Sequence, residues 1–272
     1  MKYFSKIYIG IIFGILYIPI LTLILFSFNA ENSTAKFTGF SFDWYIELFK
    51  SPGTFEALRN SLILAVLSAL IATVIGTAAA EGIYKMRSKV MKAAINSVTN
   101  IPMMNPDIVT GMSMMLFFVA VAGILGLSYE DMGFSAMLIA HVTFSLPYVI
   151  LSVLPRINEL GDSLSEAALD LGCTPIQAFF KVKLPNIMPG VLSGAVLAFT
   201  MSLDDFVISY FVGSSNFQTL PLLIYSMTKK KVTPDMYALS TLIIVTVFVL
   251  LIISNIKSTR KLGDTGKRGA KK

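Results

Sequence analysis

The stretch EAALDLGCTPIQAFFKVKLPNIMPG, Glu166–Gly190, lies between two apolar runs, 134–155 and 190–212, each long enough to cross a bilayer. Glu159, Asp162, Glu166 and Asp170 recur at helical steps and predict one acidic stripe, with Leu160, Leu164, Ala167, Ala168 and Leu171 on the apolar side. Gly172 is placed to stop that helix. Thr174 as N-cap and Pro175 at the first helical position start another over 175–182, carrying Ile176, Phe179 and Phe180 and ending at Leu184-Pro185 and Pro189. Two short helices around a glycine hinge are therefore expected. A helix lying on an anionic membrane surface carries lysine and arginine on its polar face. The acidic stripe points instead to a protein partner.

Outward from this loop, the chain is written for a bilayer. Of its 272 residues, 55% are hydrophobic and only 14% charged, against about 25% charged in soluble domains. Apolar runs near 7–28, 60–83, 108–127, 134–155, 190–212 and 236–256 predict an all-α, polytopic membrane protein with six transmembrane helices. The first run is too long for a secretory signal core, and the following SFNAENS offers no small-residue cleavage site, so it reads as a retained span. The expected organisation is one transmembrane domain, 1–256, containing the loop 156–189, followed by a basic tail, 257–272. Lysine and arginine favour alternate segments, which places that loop, the tail and both termini in the cytoplasm. Lys229, Lys230 and Lys231 fall on the outer side, against the trend. The tail reads as a topology anchor rather than a nucleic-acid site.

In or beside the spans, Pro19, Pro102, Pro106 and Pro147 favour kinks, while Gly76, Gly111, Gly194 and the run Ala78–Gly82 allow close helix approach. Charge inside hydrocarbon is expensive, about 2.5 to 3.5 kcal/mol on insertion scales, so Asp107, Asp204 and Asp205 must face protein or water. They are candidates for the lining of a path for a cationic solute, or for capping and interhelical hydrogen bonding. His141, the only histidine, reads as a satisfied interhelical side chain. The methionine-rich third run needs only adaptable packing. Cys173, alone, excludes an internal disulfide and a cysteine-rich metal site. No phosphate loop, zinc helix, nucleophile elbow or dinucleotide fingerprint is present. No enzyme activity and no metal site are expected, and uphill transport would draw its energy from a partner or an ion gradient.

The spacing EAA-x3-G-x9-I-x-LP resembles the cytoplasmic signature of permease subunits of binding-protein-dependent ABC importers. Glu166-Ala167-Ala168, Gly172, Val182 in place of isoleucine, and Leu184-Pro185 carry it. The resemblance implies a type I importer fold and an EAA loop whose helices enter a groove on an ATPase subunit, with Glu166, Ala167, Ala168 and Gly172 at the contact. NPDIVTGMS, HVTFSLPYV, FTMSLDDFVISYFV and LPLLIYSMTKKKVTPDMYALSTL are similar to the spermidine/putrescine importers of that family. Implied partners are a second homologous permease, an ATPase dimer that uses ATP and magnesium, and an extracytoplasmic polyamine-binding protein, at the bacterial inner membrane. This chain would bind no cofactor itself. Lys229–Lys231 are the candidate contact with the binding protein. The competing expectations are an ABC importer permease for another small solute, and a proton- or sodium-coupled carrier using Asp107, His141 and Asp205 as its relay.

Overall fold

A computed structural model describes residues 2–31, 36–214, 217–229, 236–246, 248–249 and 252. The helices are α1 Lys2–Phe26, α2 Asp43–Lys50, α3 Pro52–Lys85, α4 Lys89–Met104, α5 Asp107–Leu125, α6 Tyr129–Leu160, α7 Ser163–Asp170, α8 Pro175–Ala178, α9 Leu184–Leu203, α10 Val207–Val212 and α11 Leu220–Thr228. A π turn, Phe179–Lys183, joins α8 to α9, and α12 covers Met236–Thr246.

Five helices among the described residues are long and apolar enough to span a membrane: Lys6–Phe26, Pro52–Lys85, Asp107–Leu125, Met132–Leu160 and Pro175–Leu203. The sixth run, 236–256, is described as a continuous helix only over α12, which is shorter than a crossing, and most of its remainder lies outside the described residues. The tail 257–272 lies outside them altogether.

The chain forms two units. In the first, Met1–Leu58 with Leu220–Asn255, α1 is apolar on every side and its spanning window is entirely unburied, as suits a helix in lipid. Beyond it, Asn29 ties down the following segment: its Nδ2 donates to Lys36 O at 3.0 Å, its Oδ1 accepts from Thr38 N at 2.8 Å, and its carbonyl accepts from Trp44 Nε1 at 2.7 Å. Leu48, Ala57, Leu220 and Leu239 make the core of this unit.

In the second unit, whose described residues lie within Arg59–Thr219, the core joins α3, α6 and α9 through Ala72, Ala80, Val149, Val153, Ile157, Ile187 and Ala198. Glycine sets the helix separations. A Cβ on Gly76 of α3 would stand 2.7 Å from Val149 Cγ1, and one on Gly194 of α9 would stand 3.1 Å from Val149 Cα, so α6 is gripped on two sides at one valine. Gly190 is tighter, with Arg156 Cγ at 2.6 Å and Ser152 O at 2.8 Å. On α5, Gly111 abuts Phe211 of α10. Gly82 closes against nothing, so of the run Ala78–Gly82 it is Ala80 that packs in the core.

Two departures from the sequence reading concern element boundaries. Residues 89–104, between the apolar runs 60–83 and 108–127, form a further helix, α4, capped by Ser88 Oγ accepting from Met91 N. The run 190–212 is not one helix: it stops at Leu203 and resumes at Val207 as α10.

Candidate coupling surface and broken-helix site

The loop after α6 is built by local chain chemistry. Gly161, at φ +67°, ends α6, so Glu159 stays on α6, paired with Arg156 at 2.9 Å. The expected acidic stripe is thus divided, with Glu166 and Asp170 alone on α7. Periodicity continued across 161, but the left-handed backbone there turns the chain and resets the helical phase. At the far end of α7, Gly172 N donates to Leu169 O at 2.9 Å and Cys173 N to Ala168 O at 3.0 Å. With φ +86° at Gly172, this is a Schellman closure, which requires a residue free of Cβ strain.

Thr174 then caps α8 reciprocally: its Oγ1 accepts from Gln177 N at 3.3 Å, and Gln177 Oε1 accepts from Thr174 N at 3.1 Å. The second loop helix does not end at Leu184-Pro185 as expected. It runs on through the π turn, marked by Leu184 N donating to Phe179 O, into α9. In an α-helix the ring of Pro185 would strike the carbonyl four residues back, at Lys181. Lys181 lies within the wider π turn, which lets the helix pass a proline pair without stopping.

Ala168 and Ala178 are buried and seat α7 and α8. Glu166, Ala167 and Gly172 are exposed, Val182 and Leu184 half-buried, and Pro185 exposed. Around them Leu171 is 87% and Ile176 71% exposed, with Phe180 and Leu164 also uncovered. The protrusion therefore presents apolar side chains beside a carboxylate. Beneath it lies a cavity of about 160 Å³ whose lining includes Glu81, Lys85, Asp162, Ser165, Glu166 and Lys183. Sequence reasoning missed the deepest of these contacts. Lys183 Nζ, on a side chain 3% exposed, lies 3.0 and 2.8 Å from the two oxygens of Glu81 on α3, and 4.4 Å from the centre of the Tyr84 ring. The EAA-x3-G-x9-I-x-LP pattern leaves that position open, which is why no motif drew attention to it.

The second site is the break between α9 and α10. Asp205 caps α10: its Oδ1 accepts from Ile208 N at 3.2 Å and its Oδ2 from Ser209 N at 2.8 Å. His141 of α6 completes the junction, with Nδ1 2.7 Å from Ser202 Oγ, Nε2 3.2 Å from Ser209 Oγ, and Asp205 Oδ2 at 3.6 Å. Ser68 of α3 extends the chain, 2.9 Å from Ser202 Oγ. His141 is thus the satisfied interhelical side chain its context predicts. Asp204, at the C-cap of α9, is exposed, and so is Asp107 in the first turn of α5. The two neighbouring carboxylates are not equivalent: one is committed to backbone donors, the other open. Lys229 is exposed beside the Tyr225 ring, while Lys230 and Lys231 lie outside the described residues.

Residues 72–258 match the family of binding-protein-dependent transport system inner membrane components. The chain belongs to that family. Along nearly its whole length the permease is similar to the spermidine/putrescine transport system permease protein PotC of Haemophilus influenzae, at 39% identity over 92% of this chain and 94% of the relative. It is similar also to the putrescine transport system permease protein PotI of Escherichia coli K12, at 39% identity over 85% and 82%. In fold, it matches a chain of a bacterial ABC transporter that imports alginate, with TM-score 0.76 at 18% identity and 95% coverage of both chains. A chain of the MetNI methionine ABC transporter matches with TM-score 0.61 at 20% identity, over 77% of this permease and 98% of that chain. These neighbours establish an ABC importer permease fold, and the family makes the protein a multi-pass membrane subunit of a transport system.

Proposed function

We propose that this permease forms half of the translocation path of an ATP-driven polyamine importer and takes its power stroke through the loop Glu166–Pro185. The similarity to spermidine/putrescine and putrescine permeases over most of the chain carries the substrate class. Exposed Asp204 and Asp107, at breaks between helices, suit a solute that carries several ammonium groups. Asp205 serves that path indirectly, by fixing the start of α10. At the loop, Glu166, Ala167, Ala168, Gly172, Val182, Leu184 and Pro185 dock on an ATPase subunit, where ATP and magnesium are used. A homologous second permease supplies the other half of the path, because the described helices of one chain are few for an enclosed channel. Lys229, Lys230 and Lys231 meet an extracytoplasmic polyamine-binding protein. The termini face the cytoplasm of a bacterium, at its inner membrane.

Purification in mild detergent from cells expressing the whole operon tests the assembly: an ATPase pair, a second permease and a polyamine-binding protein should accompany the chain. Reconstituted in liposomes, that assembly should accumulate labelled putrescine or spermidine on ATP, and an uncoupler should leave accumulation intact. Accumulation abolished by the uncoupler at constant ATP would assign the protein to ion-coupled transport instead.

A further inference from the structure

The buried Lys183–Glu81 contact connects two parts of the second unit that are far apart in sequence. Lys183 closes the π turn beneath the docking helices, while Glu81 lies in the last turns of α3, whose Gly76 grips Val149 further along. Both Glu81 oxygens meet the Lys183 ammonium, and the Tyr84 ring covers its other side. Lys85, 65% exposed, adds a second ammonium 3.0 Å from Glu81 Oε1. Burying such a pair is not needed for stability, since apolar residues of matching volume do as well or better. Where buried ion pairs are kept, their best-attested use is to fix register or serve a switch. An apolar contact slides at little loss, whereas an ion pair held by a hydrogen bond in a low-dielectric pocket resists displacement.

We propose that Lys183 and Glu81 are positioning residues that tie the docking loop to α3, so that movement imposed on α7 and α8 is delivered to that spanning helix as well as to α9. Without the tie, the loop still docks but α3 lags, and nucleotide is hydrolysed without transport. The inference rests on the loop being the ATPase contact, as proposed above.

The test uses the complete importer in liposomes with its binding protein, and reads polyamine taken up per ATP hydrolysed. Glu81→Met with Lys183→Met preserves volume and removes both charges. Assembled complex should be recovered at the wild-type level, with ATPase activity retained and the uptake-to-hydrolysis ratio reduced several-fold. The exchange Glu81→Lys with Lys183→Glu should bring the ratio back toward wild type. Glu81→Gln, which keeps the shape and an acceptor for Lys183, should lower the ratio to an intermediate value, and it supplies the readout if the methionine pair does not assemble. A merely structural role would reduce complex yield at constant ratio, and a wild-type ratio in the methionine pair or in Glu81→Gln would overturn the inference. Failure of the underlying coupling assignment looks different: the ATPase would then not accompany the wild-type chain at all.

Discussion

At Gly172 a single backbone angle governs the loop between α7 and α8. With φ at +86° and two closing hydrogen bonds, any side chain there strains the turn, and the strain is about 1 to 2 kcal/mol for an ordinary residue. Because open space surrounds the position a Cβ would take, Gly172→Asp should insert and fold at near-normal levels. Uptake should nonetheless fall at least tenfold, because the charge and the altered turn displace Leu171 from the exposed face. Normal uptake in that variant would remove the loop from the mechanism. Gly190 offers the contrast. A side chain there collides with Arg156 and Ser152, so Gly190→Val should destabilise the α6–α9 contact by roughly 1 to 3 kcal/mol, read as reduced thermal stability in detergent. The two aspartates after α9 should also separate. Asp204→Asn is expected to reduce polyamine uptake with little change in melting temperature. Asp205→Ala removes a cap and should lower stability by about 1 kcal/mol. Equal effects on both readouts would contradict the division of labour.

Among the elements, what composition and spacing could show was the existence of the helices. Long apolar runs located α1, α3, α5, α6 and α9, and Thr174-Pro175 located the start of α8 because capping chemistry is local. The breaks were harder to read. Pro185 and Pro189 signal termination by local rules, yet the helix continues because a π turn absorbs the first of them. Conversely, the one local signal in SLDDFV is Asp205, a capping residue type that accepts from Ile208 N and Ser209 N, while the long apolar run around it hid the break that Ser202 and Ser209 complete around His141. His141→Leu should leave those hydroxyls without their shared partner and loosen the junction. Faster amide exchange in α10 than in α9 of that variant would report it, and unchanged exchange would show that Asp205 suffices alone. The acidic stripe was divided by a local turn: the three-residue step from Glu159 to Asp162 crosses Gly161, whose left-handed backbone redirects the chain.

For the whole molecule, the legible part was the class, since hydropathy and the long EAA spacing each extend over many residues. Tertiary ties such as Lys183 to Glu81 join positions with no sequence relation, and no local pattern reveals them. The proposed contact of Lys229, Lys230 and Lys231 with a binding protein yields a prediction at this scale. Replacing Lys229, Lys230 and Lys231 with glutamine should weaken attachment of the binding protein several-fold at low salt and less at high salt. Affinity unchanged at low salt would exclude these lysines from that contact.

The π turn carries one more consequence. Relative to an unbroken α-helix it holds one extra residue, and each residue turns a helix by about 100°. Everything before Phe179 is thereby rotated about α9's axis by that angle compared with a regular helix. Deleting Lys181 would therefore restore regular winding and leave the side chains of α8 at their present bearing, whereas forcing the full sequence into unbroken α-helix would turn them by about 100°. The bearing of α8 about the axis of α9 is thus set by one residue of helical phase that the turn takes up.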